Sequence, residues 1–293
     1  MEKTTKLAPS LAVKSYIELT KPGIIMGNAI TAFGGLTLAS RGHINFMLFI
    51  MTLLGLSLVI ASACVCNNYI DRDLDKKMVR TRNRALAKGT ISVDKAIQFA
   101  MLLGIAGVVI LFVYANLMAT VAALLGFFVY VLFYSFSKYL TPACTLIGSI
   151  AGAIPPVVGY CAVTNRLDLC AFLIFLTIVL WQMPHFYAIA MFRLRDYTNA
   201  SVPVLPVKKG ILTTKIHMLF YIVAFTFVSS LLTYFKYTGT AYLVITLAVG
   251  TAWFIYAIKG FKCKSDAYWA RKMFLLSLVV VLSLCAVIPF SSI

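Results

Sequence analysis

The segment Asn67-Asn-Tyr-Ile-Asp71-Arg-Asp73-Leu-Asp75 holds three of the chain's nine acidic residues within five positions. Seven basic residues accompany it: Arg72, Lys76, Lys77, Arg80, Arg82, Arg84 and Lys88. Asn67, Asp71 and Asp75 are spaced i, i+4, i+8, so on a helix they share one face over about 12 Å. Hard divalent cations such as Mg²⁺ take oxygen ligands and typically bind through a couple of carboxylates plus substrate phosphates. Arginine suits the remaining phosphate oxygens. Carboxylates beside guanidinium groups therefore fit a cation-bridged polyanion. The competing reading is a solvated, salt-bridged helix end.

A second polar group follows Trp181-Gln-Met-Pro-His-Phe-Tyr187 and includes Arg193-Leu-Arg-Asp-Tyr197. Positions 185, 189, 192/193 and 196 share a helical face, so His185, Arg193 and Asp196 could point one way. An ionisable residue near a membrane is a functional hypothesis by default, set against a histidine hydrogen-bonded between helices. Residues 201–210 carry two prolines and a glycine and are expected to follow a defined, non-helical path. His43 and His217 have no acidic or basic company and stay unassigned.

The elements that must position these groups are membrane helices. The chain of 293 residues is 61% hydrophobic and 12% charged, with mean hydropathy +0.93, more apolar surface than a soluble domain can bury. A spanning helix needs about 20 mostly apolar residues. Nine such stretches are expected, near 22–41, 45–66, 94–114, 117–136, 143–163, 169–189, 215–235, 240–258 and 271–291. The fold class expected is all-α, polytopic, with nine transmembrane helices around a central cavity opening at the cytoplasmic side, and residues 1–293 forming one domain.

Lysine and arginine set the orientation. Of the 26 basic residues, 23 fall on the N-terminal side of the membrane and only Arg41, Arg166 and Lys236 on the other. The N-terminus is thus expected inside and the C-terminus outside. The asymmetry accounts for most of the net charge of +17, and no nucleic acid is needed to explain it. The seven cysteines show no ligand spacing and read as small core or lipid-facing residues. The first span is expected to serve as an uncleaved insertion signal. Gly148, Gly152, Pro155, Pro156 and Gly159 crowd span 5 and predict close helix packing with a kink. Asn28 predicts either an interhelical hydrogen bond or a ligand.

If the helices surround a common cavity, its polar end would hold a metal-bridged diphosphate and its apolar depth a hydrophobic chain. That suits isoprenoid transfer: positioned cations neutralise the departing diphosphate, and an electron-rich acceptor captures the allylic cation. Tyr69, Tyr134 and Phe186 could face that cation.

These residues resemble a known family. Asn67-x3-Asp71-x3-Asp75 is similar to the first aspartate-rich motif of the UbiA-type intramembrane prenyltransferases. Further stretches point to the branch that farnesylates haem. They are Glu18-Leu-Thr-Lys-Pro-Gly23, Met78-Val-Arg-Thr81, Ile150-Ala-Gly-Ala-Ile-Pro-Pro156, Trp181-Gln-Met-Pro-His-Phe186, Phe192-Arg-Leu-Arg-Asp-Tyr197, Val202-Pro-Val-Leu-Pro206 and Trp269-Ala-Arg-Lys-Met-Phe274. The resemblance implies a nine-helix fold. It also implies that farnesyl diphosphate, haem b and water give haem O and diphosphate, the farnesyl group joining a vinyl substituent, with Mg²⁺ as the metal. Asn67, Asp71 and Asp75 would take the metal and catalytic role, and Arg72, Arg80, Arg84 and Lys138 the diphosphate oxygens. His185, Arg193 and Asp196 would contact the haem acceptor. It further implies the inner membrane of a bacterial cell, with a terminal oxidase or haem A synthase as product acceptor.

Two departures stand out. Relatives that prenylate quinone precursors carry a second aspartate pair at i, i+4, whereas here Phe192 precedes Asp196. Ala85 follows Arg84 where a proline is expected. The rival readings are a prenyltransferase with an aromatic acceptor, a transporter with polar residues near the midplane, and a structural subunit or haem chaperone needing no aspartate cluster.

Overall fold

The computed structural model describes residues 9–293, with side chains from residue 13 onward; Lys3 and Lys6, counted among the basic residues above, lie outside them. Among the described residues the chain is helical, apart from one isolated antiparallel bridge between Thr238 and Ser292. In order come α1 (Pro9–Leu19), α2 (Pro22–Ser40), α3 (Phe46–Ile70), α4 (Arg72–Lys77), α5 (Ala85–Lys88), α6 (Val93–Tyr114) and α7 (Leu117–Phe128). A π-helical stretch, Val129–Tyr134, leads into α8 (Ser135–Ser137), then α9 (Cys144–Gly152), α10 (Ile154–Thr164) and α11 (Leu169–Phe192). The chain ends with α12 (Leu194–Asn199), α13 (Leu205–Tyr234), α14 (Thr240–Lys259) and α15 (Asp266–Ser291). Nine described segments are long and apolar enough to cross a membrane: Pro22–Ser40, Phe46–Ile70, Val93–Tyr114, Leu117–Leu140, Cys144–Thr164, Leu169–Phe192, Leu205–Tyr234, Thr240–Lys262 and Asp266–Ser291.

Local chemistry starts these helices where the apolar runs begin. Asn45, Asn116, Asp168 and Ser265 each accept a hydrogen bond from the first turn of α3, α7, α11 and α15. Those bonds satisfy N–H groups that have no partner inside the helix.

The interruptions matter more than the regular turns. Between α3 and α4 the chain passes through Asp71, yet its i→i+4 bonding continues: Asp71 N–H donates to Asn67 at 2.9 Å and Asp75 N–H to Asp71 at 2.7 Å. Span 5 breaks at Ala153, between α9 and α10, just ahead of Pro155 and Pro156, where prolines predict a kink. The loop expected to be non-helical over 201–210 is shorter than that. Helix α13 already begins at Leu205, with Pro206 in a first turn that does not need its missing N–H, and only Gly210 (φ 84°, ψ 168°) leaves the helical path.

The spans close on themselves: α2 packs on α3, α10 and α15, while α11 lies against α9, α13 and α15. Where α2 crosses α10 the backbones meet, since a Cβ on Gly35 would lie 1.9 Å from the Pro156 carbonyl oxygen. The main core takes buried residues from most spans, among them Ala32, Val158, Met183, Phe225, Trp253 and Val280. Asn28 donates to Ile24 O at 2.9 Å within its own helix.

An interior cavity of about 40 Å³ lies among α2, α10, α11, α13, α14 and α15, and an apolar groove of about 410 Å³ runs between α3, α6 and α7. Neither is lined by Asn67, Asp71 or Asp75.

Candidate active site

At the end of α3 and in α4, Asn67, Asp71 and Asp75 are 2%, 4% and 4% exposed, so all three turn into the protein and not toward solvent or lipid. A solvated helix end would leave them outside. Each is met by a basic side chain from a different element.

Asp75 receives both of its partners from the segment that follows α4. Arg84 Nη1 donates to both carboxylate oxygens, at 3.0 and 2.8 Å, and the Thr81 hydroxyl donates to the Asp75 carbonyl at 3.1 Å. Arg84 is held in place by the turn after it, because Ala85 and Leu86 bury against Leu19, Val65, Ile91 and Ala96. Asp71 is paired with Lys138, which is itself buried, and accepts a bond from the Tyr139 hydroxyl at 3.1 Å. Asn67 accepts from Lys21 Nζ at 2.5 Å.

Lys21 sits at the joint between α1 and α2 with left-handed backbone angles (φ 54°, ψ 68°), a conformation that costs a non-glycine residue free energy. Asn68 secures the joint by donating to Leu19 O at 2.8 Å. Burial pulls the Lys21 ammonium down to about 8; Arg84 and Lys138 push it the same way, and Asp71 opposes them. These charges therefore share one electrostatic neighbourhood.

The π-helical stretch brings span 4 into the site. Ser135 donates to Tyr130 O at 3.0 Å across the wide turn, and its oxygen accepts Asn67 Nδ2 at 2.9 Å. That bond fixes the Asn67 amide with its oxygen toward Lys21. The Tyr130 and Tyr134 rings stack at 5.3 Å, and Lys138 Nζ lies 5.3 Å from the Tyr134 ring centroid. π-Helical turns inside α-helices often occur at functional sites.

The other expected diphosphate residues are placed differently. Arg72 lies 4.9 Å over the Tyr69 ring and 3.8 Å from the exposed Asp73, on the outer side of α4. A hydrogen bond from Lys76 holds the Asp73 carboxyl below its usual range, so Asp73 belongs to that surface network. Arg80 is exposed, but its charge reaches Tyr197, where burial pushes the phenol up and Arg80 pulls against it. We expect Arg84→Ala to cut turnover by about a hundredfold and Arg72→Ala by less than threefold, measured as initial rates on the full chain. Equal losses would show that Arg72 reaches the diphosphate.

The second polar group divides. His185 is half-buried between α11 and α15, with Nδ1 at 2.7 Å from Ser277 Oγ and its ring 4.9 and 4.8 Å from those of Trp181 and Phe274. Arg193 is exposed over Phe192 at 5.4 Å, and Asp196 is half-buried; neither enters an ion pair among the described residues. The two loops nonetheless form one cap, because Leu74 and Met78 bury with Ala200, Val202, Val204 and Cys144.

With this geometry in hand, the UbiA prenyltransferase family model matches residues 28–279. The chain belongs to the UbiA prenyltransferase family. Relatives named protoheme IX farnesyltransferase are about half identical to it. The protein of Protochlamydia amoebophila (strain UWE25) is 51% identical over 278 residues, 95% of this chain and 98% of that one. The protein of Serratia proteamaculans (strain 568) is 51% identical over 273 residues, 93% of this chain and 92% of the relative. Solved structures share the UbiA fold at low identity. A digeranylgeranylglyceryl phosphate synthase superposes with TM-score 0.78 at 19% identity, covering 95% of this chain and 97% of that one. A UbiA homolog from Archaeoglobus fulgidus bound to DMAPP and Mg²⁺ gives 0.67 at 13%, covering 94% and 99%. This UbiA protein is therefore a multi-pass membrane prenyltransferase.

Lys21, Ser135, Tyr130 and Tyr139 are absent from the sequence expectations. Lys21 lies in the Glu18-Leu-Thr-Lys-Pro-Gly23 stretch that carries the resemblance, which was a usable signal. Ser135 and Tyr139 carry none, because their approach depends on the π turn.

Proposed function

We propose that this chain transfers a farnesyl group from farnesyl diphosphate to a vinyl group of haem b, where water adds to the resulting cation and loses a proton, forming the hydroxyethylfarnesyl chain of haem O and releasing diphosphate. Relatives of that name, about half identical along nearly the whole chain, support the substrates. The observation that carries the chemistry is the buried set Asn67, Asp71 and Asp75, each facing a cation drawn from another part of the chain.

The donor set fits Mg²⁺: two carboxylates and one amide oxygen, all hard. Mg²⁺ held by Asn67, Asp71 and Asp75 would neutralise charge gathering on the departing diphosphate. The protein's cations supply the rest. Lys21, Arg84 and Lys138 sit where they can leave their present partners for diphosphate oxygens, and the stacked Tyr130 and Tyr134 offer π faces to the allylic cation. Arg80 and Arg193 at the rim would steer the anionic groups of both substrates. Asp196 and His185 belong to the acceptor side. We place the two long loops at the cytoplasmic face of a bacterial inner membrane, where 23 of 26 basic residues would lie. Residues 1–293 would act there as one transmembrane unit, passing haem O to a haem A synthase or a terminal oxidase.

The test is incubation of the full chain in membranes with haem b, farnesyl diphosphate and Mg²⁺, read by mass for farnesylated haem. Product is expected with Mg²⁺ and none with chelator. Prenylation of 4-hydroxybenzoate with no reaction on haem b would overturn the acceptor assignment.

A further inference from the structure

We infer that the turn joining α14 to α15 is a fixed surface that binds the phosphodiester headgroup of an anionic phospholipid. Residues 259–272 carry five basic side chains, Lys259, Lys262, Lys264, Arg271 and Lys272, all of them exposed. None of the five enters an ion pair among the described residues. The spans Thr240–Lys262 and Asp266–Ser291 end and begin within this stretch, so the cations stand at the membrane surface, at the depth of lipid headgroups.

Membrane orientation accounts for cations on this side, but not for how the turn is held. Lys215 of α13 is buried, and its Nζ donates to Gly260 O at 2.6 Å and to Asp266 Oδ1 at 2.5 Å. A buried ammonium is costly unless it is paired. Here the pairing also takes up Asp266, the one acidic residue of the turn, so nothing of opposite sign is left for the five exposed cations. Trp269 supplies a second tie. It is buried against Gly260, where a Cβ would lie 2.3 Å from its ring, and its Nε1 donates to Tyr256 O at 3.1 Å. Phe261 and Tyr268 are exposed beside the cations, and Lys272 Nζ lies 4.7 Å over the Tyr268 ring. Aromatic rings at a membrane edge favour the headgroup level. A soluble anion would use the cations alone, whereas a phospholipid uses the cations and the rings together. None of these residues belongs to the aspartate site, so binding here is separable from the chemistry.

The experiment titrates the full chain in dodecyl maltoside with dioleoylphosphatidylglycerol, dioleoylphosphatidylcholine or inorganic phosphate. It follows the melting temperature and, by native mass spectrometry, the lipid retained. Phosphatidylglycerol is expected to raise the melting temperature saturably, to stay bound, and to bind more weakly as salt rises. The other two should do none of this. Lys259→Gln combined with Lys262→Gln and Lys264→Gln should weaken phosphatidylglycerol binding by at least about tenfold. Arg82→Gln combined with Lys88→Gln and Lys95→Gln removes equal charge from exposed positions on the same side and should leave it unchanged. Arg271→Gln with Lys272→Gln repeats the test should the first variant fail to fold. Equal phosphatidylglycerol affinity in the two triple variants overturns the assignment to this turn. Equal stabilisation by phosphatidylcholine overturns headgroup charge as its basis, and equal stabilisation by inorganic phosphate makes the turn a site for a soluble anion instead of a lipid.

Discussion

Replacing Asp71 or Asp75 by alanine is expected to lower farnesyl transfer by at least about a thousandfold, because the positioned charge that stabilises the leaving diphosphate is usually the largest single contribution to such a reaction. Asp71→Ala carries a second cost. It strands the buried Lys138 and removes the acceptor of the Tyr139 hydroxyl. Breaking a buried pair by deleting one partner typically costs about 3–5 kcal/mol. The two effects can be separated. Asp71→Ala combined with Lys138→Met should recover most of the lost thermal stability in detergent but none of the activity. Recovery of product formation in the double variant would remove Asp71 from the metal role.

Gly35→Ala is expected to be the most damaging single change far from the chemistry. The added Cβ would meet the Pro156 carbonyl oxygen at 1.9 Å and its carbon at 2.8 Å, and backbone atoms cannot swing aside as a flexible side chain does. Helix α2 would have to lift off α10 and disturb Ala32, Val157 and Val158 in the main core. Overpacking of this kind costs about 3 kcal/mol. Gly27→Ala is the matched control: its Cβ would find nothing within 4 Å, so its melting temperature should be unchanged or slightly raised. Equal melting temperatures for the two variants would show that α2 and α10 do not pack this closely.

Nine apolar runs and a one-sided distribution of lysine and arginine made the architecture readable, since hydropathy alone identifies segments that must satisfy their backbone internally. Helix α13 starts earlier than its prolines suggest, because Pro206 lies in the first turn, where a proline opens a helix and does not break it. Within the site, Asn67, Asp71 and Asp75 could be found because their periodicity is local. Arg84 could be grouped with them, but not separated from Arg72, because which of two nearby arginines folds inward depends on Ala85 and Leu86 burying against α1, α3 and α6. Lys21 and Lys138 lie 46 and 67 positions from their partners, so no local pattern could pair them. His185 stood out by type, whereas Ser277 is one serine in an apolar span and is identified only by its bonds.

The wide turn at Val129–Tyr134 also acts as a phase setting. Were that stretch to wind as ordinary α-helix with no residue removed, the residue that its i→i+5 bonding absorbs would return to the helix, and everything beyond would rotate by about 100°. Ser135 and Lys138 would swing out of reach of Asn67 and Asp71. A chain so altered would insert, fold and look sound by every bulk measure, yet its reaction centre would be out of register.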